Sequence, residues 1–173
     1  MSGRKNRLCW GPSGASQTGD STDPSITAPA IEGRCSPTRA TSLYDRLGGV
    51  YNIATVIDDL IDRVMTDPRL NKNPAVDEAH HRVSPAGFKF LVTEMVCWAG
   101  GGPQQYSGRV MVDAHRHLAI TEDEWAAFMN DLHVTLATFQ VPPAEEAELV
   151  TIVESTREAI VTVPPLQSGP PNP

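Results

Sequence analysis

Cysteine is scarce in this chain of 173 residues, which has three, Cys9, Cys35 and Cys97. An odd number of thiols cannot pair completely, and no two of them stand at the Cys-x-x-Cys spacing. A secreted domain stabilised by disulfides is therefore disfavoured, and the cysteine usage predicts a protein of the reducing cytoplasm.

Long apolar runs are also missing. No apolar stretch approaches the length of about 18 residues that a membrane-spanning helix requires. The basic residues near the N-terminus are followed by Gly, Ser and Pro rather than by an apolar segment, so no secretory signal is predicted.

Positive charge is in deficit. The chain has 14 Lys and Arg against 21 Asp and Glu, which gives a net charge of -7 and an isoelectric point near 5.1. This balance argues against nucleic acid or an anionic membrane surface as the main partner.

Sequence complexity is low at both ends. Residues 1–41 are rich in Gly, Pro, Ser and Thr without a hydrophobic period, and residues 164–173 are rich in Pro. Such segments cannot bury enough apolar surface to offset the entropy of ordering them. We therefore expect a disordered extension over 1–41, one domain over 42–163 and a disordered tail over 164–173.

Helical periodicity dominates the region between these ends. Apolar residues recur at the spacing of an amphipathic helix in four segments, which are 50–65, 85–98, 121–139 and 143–160. Thr121 and Glu124 have the spacing of a capping box. Residues 68–86 predict a long connection, which in a compact domain is usually either functional or partly helical. The alternation typical of strands is absent. The predicted fold class is all-α, with four main helices.

The most informative stretch runs from Gly101 to His115. A Gly-Gly-Pro break is followed by the turn Tyr106-Ser107-Gly108 and then by a short segment that presents His115. Neutral imidazole is the commonest protein ligand of haem iron. The stretch resembles the region before the proximal histidine of truncated haemoglobins, which reads Gly-Gly-Pro, Tyr-Thr/Ser-Gly, Met and His.

Other parts of the chain resemble the same family in the same order. Residues 42–49 are similar to its opening turn, Asp67-Pro68-Arg69-Leu70 to the break after its second helix, and Ile120-Thr121 to the start of the helix that carries Trp125. Together they span 42–162 and are most similar to group I. The resemblance implies a two-over-two helical sandwich around a b-type haem, since the chain has no Cys-x-x-Cys-His motif for covalent c-type attachment.

By position in the resemblance, His115 is the proximal ligand of the haem iron. His117 is a surface or propionate-facing residue, and Lys89 is either a partner of a haem propionate or a solvated surface lysine.

An apolar slot for the haem is also implied, because a macrocycle gains binding energy by leaving water. Each slot residue is either a haem contact or plain core. On the proximal side these are Met111, Leu118, Trp125, Phe128 and Leu132, and on the distal side Leu60, Phe88, Val92 and Met95.

The distal side departs from the family pattern. Ile61 stands where relatives that bind oxygen tightly have a tyrosine, Val92 where a glutamine often assists, and Asn73-Pro74 where a phenylalanine is expected. His80 and His81 are the only evident polar replacements. Either one could act as a distal hydrogen-bond donor or as a sixth iron ligand, or both could be exposed histidines of the connection. The sequence predicts a largely apolar distal pocket that binds oxygen weakly and releases it fast.

Several functions share these residues. A five-coordinate globin could bind dioxygen, nitric oxide or carbon monoxide for delivery or sensing. It could also oxidise nitric oxide as a dioxygenase, with electrons from an external reductase, since the chain has no flavin motif. A helical module that has lost its haem is a third class. A metal cluster of His80, His81, Cys97, His115 and His117 is a fourth, with spacing uncommon for zinc. We expect a monomer or a weak homodimer.

Overall fold

The computed structural model describes residues 41–163. The disorder predicted for 1–41 and 164–173 therefore lies outside the described residues, apart from Thr41. Within residues 41–163, no helix is both long enough and apolar enough to span a membrane.

The described chain is mostly helical, as predicted. Its helices and strands, in order, are α1 (Leu43–Arg46), α2 (Gly49–Thr66), α3 (Pro68–Asn71), α4 (Pro74–Arg82), α5 (Pro85–Ala99), α6 (Met111–His115), β1 (Ile120–Thr121), α7 (Glu122–Thr138), α8 (Pro143–Glu154), α9 (Arg157–Ile160) and β2 (Val161–Val163).

Capping boxes fix where two of the helices begin. Thr121 Oγ1 accepts from the Glu124 amide, and the Glu124 carboxylate accepts from the Thr121 amide, so the predicted capping box is confirmed. The same reciprocal pair forms between Ser42 and Asp45 at α1. Both boxes satisfy amide groups that have no partner inside the helix.

The connection predicted over 68–86 is mostly helical. Asp67 caps α3 and Asn73 caps α4, and in both helices a proline occupies the first turn. Proline is favoured there because its missing N–H would be unsatisfied anyway. Local capping therefore makes two short helices from a segment whose hydrophobic pattern predicts none.

Two details of the sequence prediction are wrong. A short parallel pair joins β1 to β2, with Ile120 opposite Val161, although no strand was expected. The fourth predicted helix is also interrupted, since α8 ends at Glu154 and α9 begins at Arg157. Strands of two and three residues are too short to show alternation in the sequence.

The hydrophobic core lies around α2. Six of its apolar residues are buried, and α2 packs against both α5 and α7. Ile53, Val96, Leu136 and Leu149 line one small interior space, which places the core where α2, α5, α7 and α8 meet. A broad apolar stripe on each helix produces this arrangement.

Candidate functional site

The loop that leads to α6 begins where a C-terminal capping motif ends α5. Gly101 has a φ of 83°, and the Gly102 amide donates to the Cys97 carbonyl oxygen at 2.8 Å. A left-handed residue followed by this bond is a Schellman motif, which favours glycine. Gly101 and Gly102 therefore end α5 and turn the chain sharply away from it.

The turn Tyr106-Ser107-Gly108 is closed against α5. The amide and hydroxyl of Ser107 donate to the Glu94 carboxylate at 3.2 and 2.5 Å. Any side chain at Gly108 would collide with the phenol ring of Tyr106. The structure thus gives each residue of this turn a packing or hydrogen-bonding role, and it adds Glu94, which the sequence analysis missed.

His115 is the last residue of α6 and is half-buried. Its Nδ1 lies 2.9 Å from the Met111 carbonyl oxygen. Because a carbonyl can only accept, Nδ1 carries the proton, and Nε2 of the neutral ring keeps its lone pair. Burial lowers the pKa of His115, the bond to Met111 opposes that shift, and the charge of His117 adds to it. These effects together favour a neutral imidazole, the form that binds metals.

The predicted slot residues fall into two sets by burial. Leu60, Trp125 and Leu132 are buried in the core. The other six are only half-buried: Phe88, Val92 and Met95 on α5, and Met111, Leu118 and Phe128 on or after α6 and on α7. A half-buried apolar side chain still has surface that a bound apolar group could cover. A neutral histidine donor and partly exposed apolar side chains are the kinds of group that a haem site requires.

Lys89 is held by two carboxylates. Its Nζ lies 2.7 Å from Asp58 Oδ1 and 2.7 Å from Asp62 Oδ1, both on α2. The hydrogen bonds that Lys89 donates to these two carboxylates raise its pKa. The predicted pairing with a propionate would thus compete with two existing ion pairs.

The distal candidates lie on three different helices. Ile61 on α2 is 2% exposed, and Val92 on α5 is half-buried. His81 on α4 is exposed and its Nδ1 donates to the Asp77 carbonyl at 2.8 Å. His80 is half-buried, and its Nδ1 lies 2.8 Å from Asn71 Oδ1. Burial lowers the pKa of His80, partly opposed by Asp77.

The alternative metal cluster is not supported. Residues 41–163 include no group of three or more His, Cys, Asp and Glu side chains arranged to hold a metal ion. Cys97 is fully buried, and burial raises its pKa to about 11, which keeps it a neutral thiol. A neutral thiol is a poor ligand and a poor nucleophile.

An open cleft of about 540 Å³ lies along the outer face of α7, beside the end of α8 and the start of α9. Trp125 is the one predicted haem residue that lines it. The cleft therefore shares only Trp125 with the predicted slot residues, and Trp125 contributes to its wall as well as to the core. The indole also packs on Phe128, with ring centroids 5.5 Å apart.

Comparison with known proteins agrees with this fold. Residues 42–162 match the bacterial-like globin family. A group 1 truncated haemoglobin of Synechocystis is 30% identical over 117 residues, which cover 65% of this chain and 89% of that protein. A group 1 truncated haemoglobin of Chlamydomonas moewusii is 27% identical over 153 residues, or 86% of each chain.

Solved structures give the same result. The 2/2 haemoglobin of Synechococcus, crystallised in the cyanomet state with covalently attached haem, matches with a TM-score of 0.62 at 26% identity. The match covers 69% of this chain and 98% of that one. The truncated haemoglobin of Tetrahymena pyriformis shares the fold with a TM-score of 0.62 at 22% identity. The chain therefore belongs to the bacterial-like globin family and has the fold of the truncated haemoglobins.

Proposed function

We propose that this protein binds a b-type haem through Nε2 of His115 and uses it to bind a diatomic gas reversibly. The observation that carries the proposal is the bond from His115 Nδ1 to the Met111 carbonyl, at 2.9 Å. Ligating histidines usually donate their second ring N–H to such an acceptor, which fixes the tautomer and the ring orientation. Membership of the globin family supports the same ligand.

The surrounding side chains have separate tasks in this proposal. Phe88, Val92 and Met95 from α5 would cover one face of the macrocycle, and Leu118 and Phe128 the other. Their apolar surfaces exclude water from the ligand side of the site. When bound, the haem iron supplies the open coordination position at which a small gas binds.

The proximal assignment is tested by absorption spectroscopy of the haem-loaded protein. We expect a Soret band that shifts on reduction and again with carbon monoxide. His115→Gly should lose that band or its haem, and added imidazole should restore the signal because it replaces the missing ligand. His117→Gly, two residues away and exposed, is the matched control and should resemble the unmodified protein. An unchanged Soret band and full haem content in His115→Gly would show that another group binds the iron.

The distal side is tested by oxygen release. Ile61 cannot donate a hydrogen bond and Val92 cannot either, so we propose fast oxygen dissociation. Ile61→Tyr should slow dissociation about fivefold, because a net hydrogen bond contributes about 1 kcal/mol. Ile61→Phe has the same ring without the hydroxyl and controls for crowding. Stopped-flow rates that are equal in the two variants would mean that position 61 does not face the bound gas.

A further inference from the structure

Asn73 lies at the junction between α3 and α4, and both the oxygen and the nitrogen of its side-chain amide form hydrogen bonds. Oδ1 accepts from the Ala75 amide at 3.0 Å and so caps α4. Nδ2 donates to the Leu118 carbonyl oxygen at 2.9 Å. The residue at this position, where the family resemblance predicts phenylalanine, thus joins α4 to the segment directly after α6.

That segment leads back to His115. The Leu118 amide donates to the His115 carbonyl at 2.8 Å, and His115 Nδ1 donates to the Met111 carbonyl at 2.9 Å. Hydrogen bonds therefore connect Asn73 to the turn that ends α6. This helix has five residues and no side-chain cap at its start. So short a helix is not stable alone and depends on contacts with the rest of the molecule.

The junction between α3 and α4 is itself attached to α2 and to the core. Asn71 Nδ2 donates to the Met65 carbonyl at 2.9 Å, and Asn71 Oδ1 accepts from His80 Nδ1. Leu70 on α3 and Val76 on α4 are both 5% exposed. Asn73 therefore projects from a junction that is packed into the core and bonded to α2.

We propose that Asn73 is a positioning residue for His115, holding the turn after α6 so that the imidazole keeps one orientation. This inference rests on the proposed function. The role requires an acceptor toward α4 and a donor toward Leu118 on one short side chain, which asparagine supplies. Aspartate and serine can cap α4 equally well, but aspartate has no donor and serine is too short to reach the carbonyl.

Two variants separate the cap from the link to Leu118. In Asn73→Asp and Asn73→Ser the cap of α4 is retained and the donor to Leu118 is lost. Hydrogen exchange of the full-length protein, resolved by residue, should be about two- to tenfold faster at Leu118 in both, the factor expected for one net hydrogen bond. The amides of Ala75 and Val76 should exchange as before. Asn73→Ala should accelerate exchange at both places.

The second readout is the iron–histidine stretching band of the reduced, haem-loaded protein in resonance Raman spectra. We expect the band to shift or broaden in Asn73→Asp and Asn73→Ser, and to stay unchanged in Ser84→Ala, which removes the cap of α5 instead. Unchanged exchange at Leu118, or faster exchange with an unchanged band, would overturn the role of Asn73. Absence of any iron–histidine band in the unmodified protein would instead contradict the proposed function, while the exchange data still test the link to Leu118.

Discussion

The buried carboxyl group of Asp131 is expected to make the stability of this protein depend on pH. It lies in the middle of α7, 8% exposed, with Oδ1 2.9 Å from the Arg69 guanidinium. Its Oδ2 is buried without a hydrogen-bond partner, and Asp67 binds the same guanidinium at 2.8 Å. Two carboxyl groups thus share one guanidinium, with Arg63 of α2 adding a weaker attraction.

The two carboxyl groups titrate in opposite directions. Burial and the neighbouring Asp67 raise the pKa of Asp131, against the attraction of Arg69 and Arg63. Burial alone would raise the pKa of Asp67 too, but hydrogen bonds from Arg69 outweigh it and lower that pKa. Asp131 therefore keeps its proton to a higher pH than an ordinary aspartate does. The protonated carboxyl group can donate that proton in a hydrogen bond to Asp67.

Asp131→Asn tests this assignment. The folded chain binds the Asp131 proton more tightly than the unfolded chain, so the free energy of unfolding falls as pH rises from about 4 through the raised pKa. Asparagine keeps an oxygen for Arg69 and offers an N–H to Asp67 without titrating. We expect a gain on the order of 1 kcal/mol at pH 8 and a flatter pH profile in urea unfolding. Asp123→Asn, an exposed change on the same helix, is the control. A variant less stable than the parent at pH 8 would show that the ionised carboxylate of Asp131 stabilises the fold instead of weakening it.

At the scale of elements, the end of α7 has a residue in an unfavourable conformation. Gln140 has a φ of 55°, and the Val141 amide donates to the Leu136 carbonyl at 3.0 Å. This is a second Schellman motif, but with glutamine where glycine is favoured. The helix stop is therefore maintained by the burial of Leu136 and Val141.

Replacing Gln140 with glycine should stabilise the protein. Glycine adopts positive φ without the Cβ clash, which is worth about 0.5 to 1 kcal/mol here. The midpoint of denaturant unfolding should rise for Gln140→Gly. Gln140→Ala removes the same side chain without changing the backbone preference, so its midpoint should not rise. Equal midpoints for the two variants would mean that the backbone of residue 140 is not strained.

The elements that the sequence predicts well are those whose signal is local. The periodic segments became α2, α5 and α7, and the capping box marked the start of α7. The short helices α3 and α4 depend on the caps Asp67 and Asn73 rather than on periodicity, and the pairing of Ile120 with Val161 depends on contact across the fold.

The same division applies to the candidate site. His115 and the apolar set follow from the family resemblance, and the acceptor for Nδ1 is one helical turn earlier in the chain. The partners of Lys89, Glu94 and Asn73 lie on other elements, and no spacing in the sequence reveals them. The assignments of haem contacts remain predictions.

For the whole molecule, haem binding and folding should be linked. In the proposed haem-loaded state the half-buried apolar side chains of α5, α6 and α7 would gain burial, and a ligand that binds the folded chain raises its stability. We expect the unfolding free energy to rise by about 1.4 kcal/mol for each tenfold excess of haem over its dissociation constant. Thermal unfolding at several haem concentrations measures this, and His115→Gly should show a smaller rise. A melting temperature independent of haem concentration would contradict the linkage.

The parallel pair of β1 and β2 also bears on His115. β1 follows α6 by a few residues, β2 follows α9, and α6 itself packs against α9. The final described residues thus support the helix that carries the imidazole, although they come much later in the chain. Trimming the protein before Val161 would remove the strand that pairs with β1, so we expect such a shortened chain to hold the segment after α6, and with it His115, less firmly.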